Sequence, residues 1–512
     1  MEKNNIQIQL SVPRRQSPAA IILILARFFR KLARQAWPLI IIVFFRRGGE
    51  EKEGQVQAQR EHWLVYVLYF AIVMTTFSMI ASVIAYWRFY FYTTDEEFII
   101  ERGFFNKVKL SVPFHRIQTI NFKRGVLHKA LGVVGLEIDT AGSQGKELTI
   151  EALTEAEANL IRQFLLEKRG NQVAEKKIEE NIIDEPEEES LLMQLQITDL
   201  LKIGFGQNHL RTVGIIIAFI FGLFEFAQDI MGEAVNKQAE TFGFWILNSF
   251  FLFLLIVVPI LLITAFLLTL IRTVLRYYNL RFFRTTGGYR VVSGLFTEQE
   301  RNAALNKIQL VQWQDNPLYR WFKMYAIRLK QASSAVVANR QAINIPGAYA
   351  QQVQVVRDAY FPVNDPALFT EHGIDSSIIG RRLIYQGILP ALGLILLTFS
   401  PLGLKALWWL LLIPVVWQAS RIYHRNWLVA LHPDGCQLKH GIWNMSYIVL
   451  QWYKIQAVEL RQSPYQRRHG LANLYLYTAA GAVSIPYLPL AKAVALKDYV
   501  LLQVETDRRG WM

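Results

Sequence analysis

The stretch Gly441–Leu476 reads GIWNMSYIVLQWYKIQAVELRQSPYQRRHGLANLYL, and its pattern occurs three times in the chain. Each copy has a glycine, then a basic residue followed by Ile-Gln, then a later apolar segment. The copies are Gly103…Arg116-Ile117-Gln118…Leu136, Gly294…Lys307-Ile308-Gln309…Ile327 and Gly441…Lys454-Ile455-Gln456…Leu474. The basic residue follows the glycine by 13 positions, and the apolar segment follows the glutamine by 18, in every copy. Two fixed spacings without gaps indicate an internal repeat.

Short strands and a closing helix are predicted in each copy. Leu136, Ile138 and Thr140 alternate with acidic residues, which is typical of a half-buried strand. Thr154-Glu155-Ala156-Glu157 is a capping box and predicts the start of a helix. Residues 488–504 and 347–356 take the same position in copies three and two. Each copy is therefore predicted to be a small, partly open antiparallel β-barrel capped by a C-terminal α-helix.

One position separates the second copy from the others. A further glycine follows the glutamine by 14 positions in copies one and three, at Gly132 and Gly470. The second copy has Lys323 there, and its stretch 333–340 is longer than its counterparts. If one copy has changed its role, the second is the candidate.

The composition indicates a membrane protein. Hydrophobic residues make up 52% of the 512 residues and charged residues 19%, whereas soluble chains have about 25% charge. This excludes a disordered or collagen-like chain. About 20 apolar residues span a bilayer, and five segments meet this need clearly enough to be predicted as spans. They are residues 63–87, 212–232, 245–271, 383–400 and 404–420.

The segment 19–45 allows two interpretations. It is apolar at both ends but has Arg27, Arg30, Lys31 and Arg34 in its middle. Residues 19–34 could form a basic amphipathic helix on the membrane, followed by a short inserted piece. The alternative is a single tilted span whose cations face protein or water. The segment lacks a small-residue cleavage pattern, so it is not predicted to be a signal peptide.

The charge distribution predicts the orientation. The net charge is +14, and basic residues flank the spans on the side of the three copies, as at Arg272, Arg276, Arg421 and Arg425. The opposite turns are poor in cations, with only Lys237 in 233–244. Because cytoplasmic flanks are enriched in Lys and Arg, the copies are expected on the cytoplasmic side of a bacterial inner membrane.

An acidic segment follows the first copy. Residues 171–196 have eight Asp or Glu side chains between Glu175 and Glu189 and no aromatic residue. This composition predicts a disordered, solvated tether. The alternative is that the segment docks onto a basic face of a neighbouring copy.

The repeated glycine and Arg/Lys-Ile-Gln pattern resembles the bacterial pleckstrin-homology (PH-like) domain. Three such copies, each preceded by membrane helices, are similar to the YdbT-like membrane proteins. The resemblance implies a PH-like barrel for each repeat and names no reaction. The predicted division is a basic N-terminus with the first span or spans (1–87), PH-like domains at 88–169, 276–358 and 423–506, an acidic linker and connector (170–211), a hairpin of spans (212–271), a connector (359–382) and a second hairpin (383–420).

The sequence contains no recognised catalytic or metal-binding motif. It lacks the phosphate-binding and zinc-protease signatures, and the single cysteine, Cys436, excludes an internal disulfide. We therefore expect no catalytic residue, no metal and no cofactor. The candidate ligand-binding residues are the motif positions and a basic loop of copy three: Arg116, Gln118, Lys307, Gln309, Lys454, Gln456, Arg461, Arg467 and Arg468. Glu225 and Asp229, spaced i,i+4 in a span, form a candidate intramembrane polar site.

These features predict a non-enzymatic multi-pass membrane protein. Its PH-like domains are expected to bind or scaffold at the membrane surface, with lipid headgroups, peptides or protein partners as ligands. Expected partners are the bilayer, anionic headgroups, and a partner membrane protein or a second copy of the chain. Nucleic acid is not expected, because the cations are spread along membrane flanks. The rival function is a component of transport or export, or of envelope protection against membrane-active compounds.

Overall fold

The computed structural model describes most of the chain. The described residues are 10–30, 56–103, 107–140, 148–175, 189–231, 241, 250–331, 342–363, 365–507 and 509. They contain three similar units of six antiparallel strands and a closing helix, here called repeats one, two and three. Each repeat follows an apolar helix directly.

Repeat one is preceded by helix α1 (Val56–Trp87). Its strands are β1 Tyr90–Thr93, β2 Glu97–Arg102, β3 Val108–Pro113, β4 Ile117–Arg124, β5 Val133–Thr140 and β6 Leu148–Thr154. A short helix α2 (Val126–Ala130) lies between β4 and β5, and α3 (Glu155–Glu175) closes the repeat. The predicted capping box is present, because Glu157 N donates to Thr154 Oγ1 and Thr154 N donates to Glu157 Oε2.

Among the described residues, a strand and three helices precede repeat two. These are β7 Ser190–Gln194, α4 Ile197–Phe205, α5 His209–Met231 and α6 Phe250–Tyr277. The six strands are β8 Arg281–Thr285, β9 Gly288–Ser293, β10 Glu298–Ala304, β11 Ile308–Asp315, β12 Met324–Gln331 and β13 Ile343–Tyr349. The short helix is α7 (Pro317–Trp321), and the closing helix is α8 (Ala350–Tyr360), close to the predicted 347–356.

Repeat three has the same order of elements. A strand β14 (Thr370–His372) precedes α9 Ser377–Arg382, a π-helical turn Leu383–Ile388, α10 Leu389–Leu402, a 3₁₀ segment Gly403–Leu411 and α11 Leu412–Asn426. The six strands are β15 Leu428–His432, β16 Gly435–Gly441, β17 Met445–Gln451, β18 Ile455–Arg461, β19 Leu471–Thr478 and β20 Gly481–Pro489. The short helix is α12 (Pro464–Arg468), and α13 (Leu490–Thr506) closes the repeat.

The strands of successive repeats share sheets. The orders are β1-β2-β3, then β6-β5-β4-β10-β9-β8-β7, then β13-β12-β11-β17-β16-β15-β14, and finally β18-β19-β20. The first three strands of a repeat thus lie in one sheet and its last three in another. Antiparallel strands and the closing helices were predicted correctly. The self-contained, partly open barrel was not, because the third and fourth strands pair with neighbouring repeats instead of with each other.

The two junctions between repeats have the same register. At the first, Glu298 of β10 lies opposite Arg124 of β4. At the second, Met445 of β17 lies opposite Asp315 of β11. When the copies are aligned by their repeated spacing, Glu298 corresponds to Met445 and Arg124 corresponds to Asp315. The chain therefore uses one strand-to-strand interface twice.

Each repeat nevertheless has its own hydrophobic core between its two sheets. In repeat one, Phe98 and Phe114 pack with Leu136, Ile150 and the closing-helix residue Leu165, all at 1% exposure or less. Equivalent clusters fill repeats two and three, and each includes residues of the closing helix. Burial of this apolar surface is the main force that holds the two sheets of a repeat together.

The Arg/Lys-Ile-Gln motif forms the corner between the two sheets. Its basic residue ends a 3₁₀ turn in each copy, at Phe114–Arg116, Leu305–Lys307 and Trp452–Lys454. The following isoleucine begins the fourth strand and is 0–3% exposed in all three copies. The strand register then shifts at the glutamine, which is a β-bulge in every copy. The motif recurs because each chain segment must turn here from one sheet into the next.

Three helices among the described residues are long and apolar enough to cross a membrane. They are residues 255–277, 377–400 and 403–426. The described apolar parts of α1 and α5 are shorter, at 72–87 and 209–222. The prediction of five clear spans therefore exceeds the three that the structure supports. Glycine 403 turns the second hairpin, with a φ of 52°.

Part of the ambiguous N-terminal segment lies on repeat one. Residues 19–30 are helical, and Ala20 and Leu23 are buried against Val133 and Ala152. Arg27 forms an ion pair with Glu151 of β6. This half of the predicted segment 19–45 therefore contacts protein, and residues 31–45 lie outside the described residues.

The end of the acidic segment is ordered. β7 pairs antiparallel with β8 of repeat two, and Glu189 lies 2.5 Å from Arg290 Nη2. The predicted tether is therefore wrong for residues 189–196, where the alternative of docking onto a neighbouring repeat holds. Residues 176–188 lie outside the described residues.

Candidate membrane-facing binding surface

The turn between the second and third strands of repeat two lies against the end of a span. Leu295 N donates to Leu275 O, and Gly294 N donates to Tyr278 O, both at 3.0 Å. Gly294 has a φ of 117°, and a Cβ there would lie 2.1 Å from Thr297 O. This conformation explains why the repeat requires a glycine at this position. The next side chain of the turn, Phe296, is 54% exposed.

The equivalent turn of repeat three has the same placement. Asn426, the last residue of α11, donates from Nδ2 to Gly441 O at 3.0 Å. Trp443 occupies the position of Phe296 and is 74% exposed. Aromatic side chains are enriched where a protein meets the headgroup region of a bilayer. Both turns therefore present an aromatic ring beside the domain-side end of a helix that is long and apolar enough to cross a membrane.

A cavity of about 840 Å³ lies between the first hairpin and the sheet of repeat two. Its apolar lining includes Ile215, Leu268, Ile271, Leu275 and Phe296. Its basic lining includes Arg272 and Arg276, which are exposed and lie one turn apart on α6. The cavity thus combines an apolar wall along the span with the two exposed cations of α6 at its end, and Arg301 of β10 also lines it.

This combination suits an amphipathic anion. A phosphate group would be bound by guanidinium groups through charge-assisted hydrogen bonds. An acyl chain would lie along the apolar face of the span, where leucine and isoleucine side chains are exposed. The volume is within the range of about 300–1,000 Å³ that is usual for small-molecule sites. A phospholipid headgroup with the start of its chains meets these requirements.

Several arginines lie at the domain-side end of the second hairpin. Arg381 Nη1 donates to Ser463 Oγ at 2.6 Å, which ties α9 to the start of α12. The Arg382 guanidinium lies 4.0 Å from the ring centroid of Tyr423. Arg421 lies 4.8 Å from the ring centroid of Trp417. These cation–aromatic contacts mark the domain-side end of the hairpin as an interfacial zone.

Comparison with known proteins agrees with this architecture. The profile of the family described as Bacterial PH domain matches residues 38–169, 242–362 and 387–504. The chain belongs to the bacterial PH domain family. Each of the second and third matches begins before the first strand of its repeat, so it includes part of the preceding membrane segment.

Two relatives come from Bacillus subtilis (strain 168). The UPF0699 transmembrane protein YdbT is 25% identical over 259 residues, which are 49% of this chain and 51% of that protein. The UPF0699 transmembrane protein YdbS is 28% identical over 97 residues, which are 19% of this chain and 61% of that protein. The matches therefore span about half to three-fifths of these relatives. No solved structure gives a significant match to the chain.

The motif cations of the three bacterial PH domains have different surroundings. Arg116 is exposed at the end of its 3₁₀ turn, and Lys307 is half-buried. Lys454 is 1% exposed and donates from Nζ to the carbonyl oxygens of Asn306 and Ile308 in repeat two. Burial lowers the pKa of Lys454 to about 8. These contacts favour a structural role for Lys454 over the predicted binding of a ligand.

The motif glutamines have backbone roles. Gln309 is fully buried, and its carbonyl oxygen accepts from the Tyr360 hydroxyl at 2.6 Å. Gln456 is exposed on β18, and Gln118 is the bulge residue of β4. The structure does not bring the three glutamines together, so ligand binding by them stays a prediction.

The basic loop of the third bacterial PH domain is exposed. Arg461 pairs with Glu459 at 2.7 Å and lies 4.9 Å from the Tyr475 ring centroid, so its charge is already engaged. Arg467 and Arg468 end α12, and neither guanidinium has a polar partner among the described residues. Their predicted role in ligand binding remains a prediction.

Glu225 and Asp229 both lie on α5, one turn apart. The surroundings of their side chains lie outside the described residues. The predicted intramembrane polar site is therefore neither assembled nor excluded by the structure.

Sequence reasoning used Arg272 and Arg276 only to orient the chain and did not predict a site there. The available signal was their i,i+4 spacing directly after an uncharged span, which places both on one helix face. Phe296 and Trp443 were also missed. They occupy equivalent positions two residues after the repeated glycine.

Proposed function

We propose that this protein is a non-enzymatic membrane protein whose bacterial PH domains bind anionic phospholipid headgroups at the membrane surface. The cavity beside α6 supports this function best, because two exposed arginines meet an apolar wall at the end of a span. The exposed rings of Phe296 and Trp443 add interfacial contact at equivalent turns. The two relatives are named as transmembrane proteins, and neither name states a ligand.

The lipid test uses the full chain in nanodiscs that contain phosphatidylcholine and phosphatidylglycerol. The chain is then extracted into mild detergent, and native mass spectrometry counts the phosphatidylglycerol that remains bound. We expect Arg272→Gln with Arg276→Gln to lower the retained lipid. Each cation near the surface contributes about 1 kcal/mol, so the pair should weaken affinity roughly 30-fold.

The matched control neutralises two cations on the closing helix of repeat three, in Lys492→Gln with Lys497→Gln. This variant loses the same charge and should retain phosphatidylglycerol as the wild type does. Equal retention by all three proteins would contradict the proposal. Equal loss in both variants would assign the effect to net charge, which also contradicts a site at α6.

We also propose that the chain lies in the inner membrane with its bacterial PH domains in the cytoplasm. The cations at the domain-side ends of both hairpins support this orientation. In a Cys436→Ala background, a membrane-impermeant maleimide added to cells with a permeabilised outer layer should label Leu404→Cys. It should not label Arg468→Cys until the inner membrane is opened. The reverse pattern would overturn the orientation.

A further inference from the structure

Two strand edges of the kind that joins the repeats have no partner strand among the described residues. Internally, the third strand of one repeat pairs with the fourth strand of the repeat before it. Among the described residues, no strand pairs with the outer edge of the third strand of repeat one or of the fourth strand of repeat three. Within the part of the chain that the structure describes, β3 pairs only with β2, and β18 pairs only with β19.

Burial shows the consequence for the terminal strands. β11, which is covered by β17, has five buried residues in succession, from Ile308 to Gln312. β18 holds the equivalent position in repeat three, and after Ile455 each of its residues is half-buried or exposed. β3 is likewise exposed or half-buried along its whole length. Each terminal strand thus offers the backbone edge that its internal equivalent uses for pairing.

Side chains outside the strands repeat across the internal junctions as well. Lys129 Nζ of α2 donates to Leu295 O at 3.1 Å, in the turn of the next repeat. Arg320 Nη2 of α7 donates to Trp443 O at 2.8 Å, again in the turn of the next repeat. Arg467 holds the same position in α12 and is exposed. It is the residue that would donate to the corresponding turn of a following repeat.

The motif cation supplies a further contact at the second junction. Lys454 is buried because it reaches back to the carbonyl oxygens at the corner of repeat two. Its equivalent in repeat one is Arg116, which is exposed. A preceding repeat would present the equivalent corner carbonyls, which in repeat three belong to Tyr453 and Ile455. Both ends of the chain therefore have side chains positioned for the same interface.

We propose that a second copy of this chain adds head to tail, with β3 of one copy pairing antiparallel with β18 of the other. The register of the internal junctions places Lys109 opposite Leu460 and Leu110 opposite Glu459. Arg116 of one copy then donates to the corner of the other. The partner is a second copy because its β18 edge is equivalent to the edges of β4 and β11. The chain already pairs those two edges with β10 and β17.

Charged residues on these edges do not prevent pairing. Lys109 Nζ lies 5.9 Å from the ring centroid of Tyr92 in its own sheet, and Arg461 lies over Tyr475 in its own sheet. Lys123, the internal equivalent of Arg461, lies opposite Gln299 in a formed junction. Lysine on an edge strand often discourages association, but this chain pairs such an edge internally.

The geometry is also compatible with one membrane. Each repeat follows directly on the last helix of its own membrane segment, and the internal interface joins successive repeats. A second copy joined by the same interface would therefore place its membrane segments beside those of the first copy, in the same bilayer. Because the interface is heterologous, repetition gives a closed ring or an open row of copies.

The test is disulfide cross-linking of the full chain in native membranes, in a Cys436→Ala background. One variant carries Leu110→Cys and Glu459→Cys, and another carries Lys109→Cys and Leu460→Cys. Two adjacent pairs are needed because only alternate pairs in an antiparallel ladder bring the side chains closest. After mild oxidation, we expect most of one variant to shift to reducible bands of dimer size and larger.

Three controls define the result. Gln312→Cys with Ile448→Cys is the internal equivalent of the 110–459 pair and should form a disulfide within one chain. Leu110→Cys with Gln456→Cys is out of register and should stay monomeric. Leu110→Cys and Glu459→Cys on separate co-expressed copies should give a single dimer band, and Arg116→Glu should reduce it.

Monomeric bands in both test variants, with the internal control oxidised, would overturn the proposal. Cross-links that mass spectrometry assigns to another protein would overturn the second copy as the partner. The lipid-binding variants at Arg272 and Arg276 do not touch either edge, so the two proposals fail independently.

Discussion

At the residue scale, the glycines after the short helices and the lysine that replaces one of them share a left-handed backbone conformation. Gly132 and Gly470 follow the short helices of repeats one and three with φ values of 64° and 63°. Lys323 takes the same left-handed conformation in repeat two, with a φ of 54°. The substitution noticed in the sequence therefore did not change the turn. It left a lysine in a conformation that disfavours residues with a Cβ.

Replacing this lysine should stabilise repeat two. Lys323 is exposed, so Lys323→Gly removes the steric cost of the left-handed conformation without loss of packing. We expect a gain of about 1 kcal/mol, measured as slower amide hydrogen exchange in β12. Gly132→Ala and Gly470→Ala are the reverse controls, since an added Cβ meets nothing within 4 Å at either position. Faster exchange in β12 of Lys323→Gly would contradict this account.

At the element scale, the corner between the two sheets of a repeat connects one repeat to the next. Lys454 ends the 3₁₀ turn before β18, and its ammonium group lies 5.0 Å from the ring centroid of Tyr360 in repeat two. The closing helix α8 thus takes part in the junction as well as the core. Lys454 was predicted from the sequence to bind a ligand, but its ammonium group donates to main-chain carbonyl oxygens of repeat two.

This buried ammonium group should make stability depend on pH. The pKa of Lys454 is about 8 in the folded chain, below the usual 10.5 of the unfolded chain. Between these values the unfolded chain binds more protons, so the free energy of unfolding should rise with pH. The expected slope is up to about 1.4 kcal/mol per pH unit.

The measurement compares denaturant unfolding of the wild type and Lys454→Met in mild detergent at pH 7 to 10. The variant lacks the titrating group, so the difference between the two proteins isolates Lys454 from other groups. The wild type should gain stability relative to the variant above pH 8. A constant difference across this range would show that Lys454 keeps its ordinary pKa.

At the scale of the whole molecule, the repeats form a continuous row. Two seven-stranded sheets cross the boundaries between repeats, while each hydrophobic core lies mainly within one repeat, with Val449 and Leu310 contributing across the second boundary. Backbone hydrogen bonds therefore connect the repeats, and apolar packing holds each one together. The row leaves one strand edge of each kind at its ends, and the membrane segments follow the same order. The proposed lipid-binding surface and the two strand edges proposed to pair with another copy therefore belong to the same row of repeats.

The sequence by itself determined the three repeats, the antiparallel strands, the closing helices and three of the five predicted membrane spans. These features follow from local patterns, since alternation, capping residues and uncharged runs are each readable within a few turns of chain. It also marked the corner motif, although not its role. The left-handed turn at Lys323 could be suspected only because two other copies have glycine there.

Only the tertiary structure decided which strands pair across repeats and where the binding surface lies. The alternation of a strand shows which face is buried, but it does not name the strand that hydrogen-bonds to its edge. The same local sequence therefore predicts a closed barrel or a shared sheet equally well. The burial of Lys454 and the cavity beside Arg272 and Arg276 follow from that pairing, because both need segments far apart in the chain to come together.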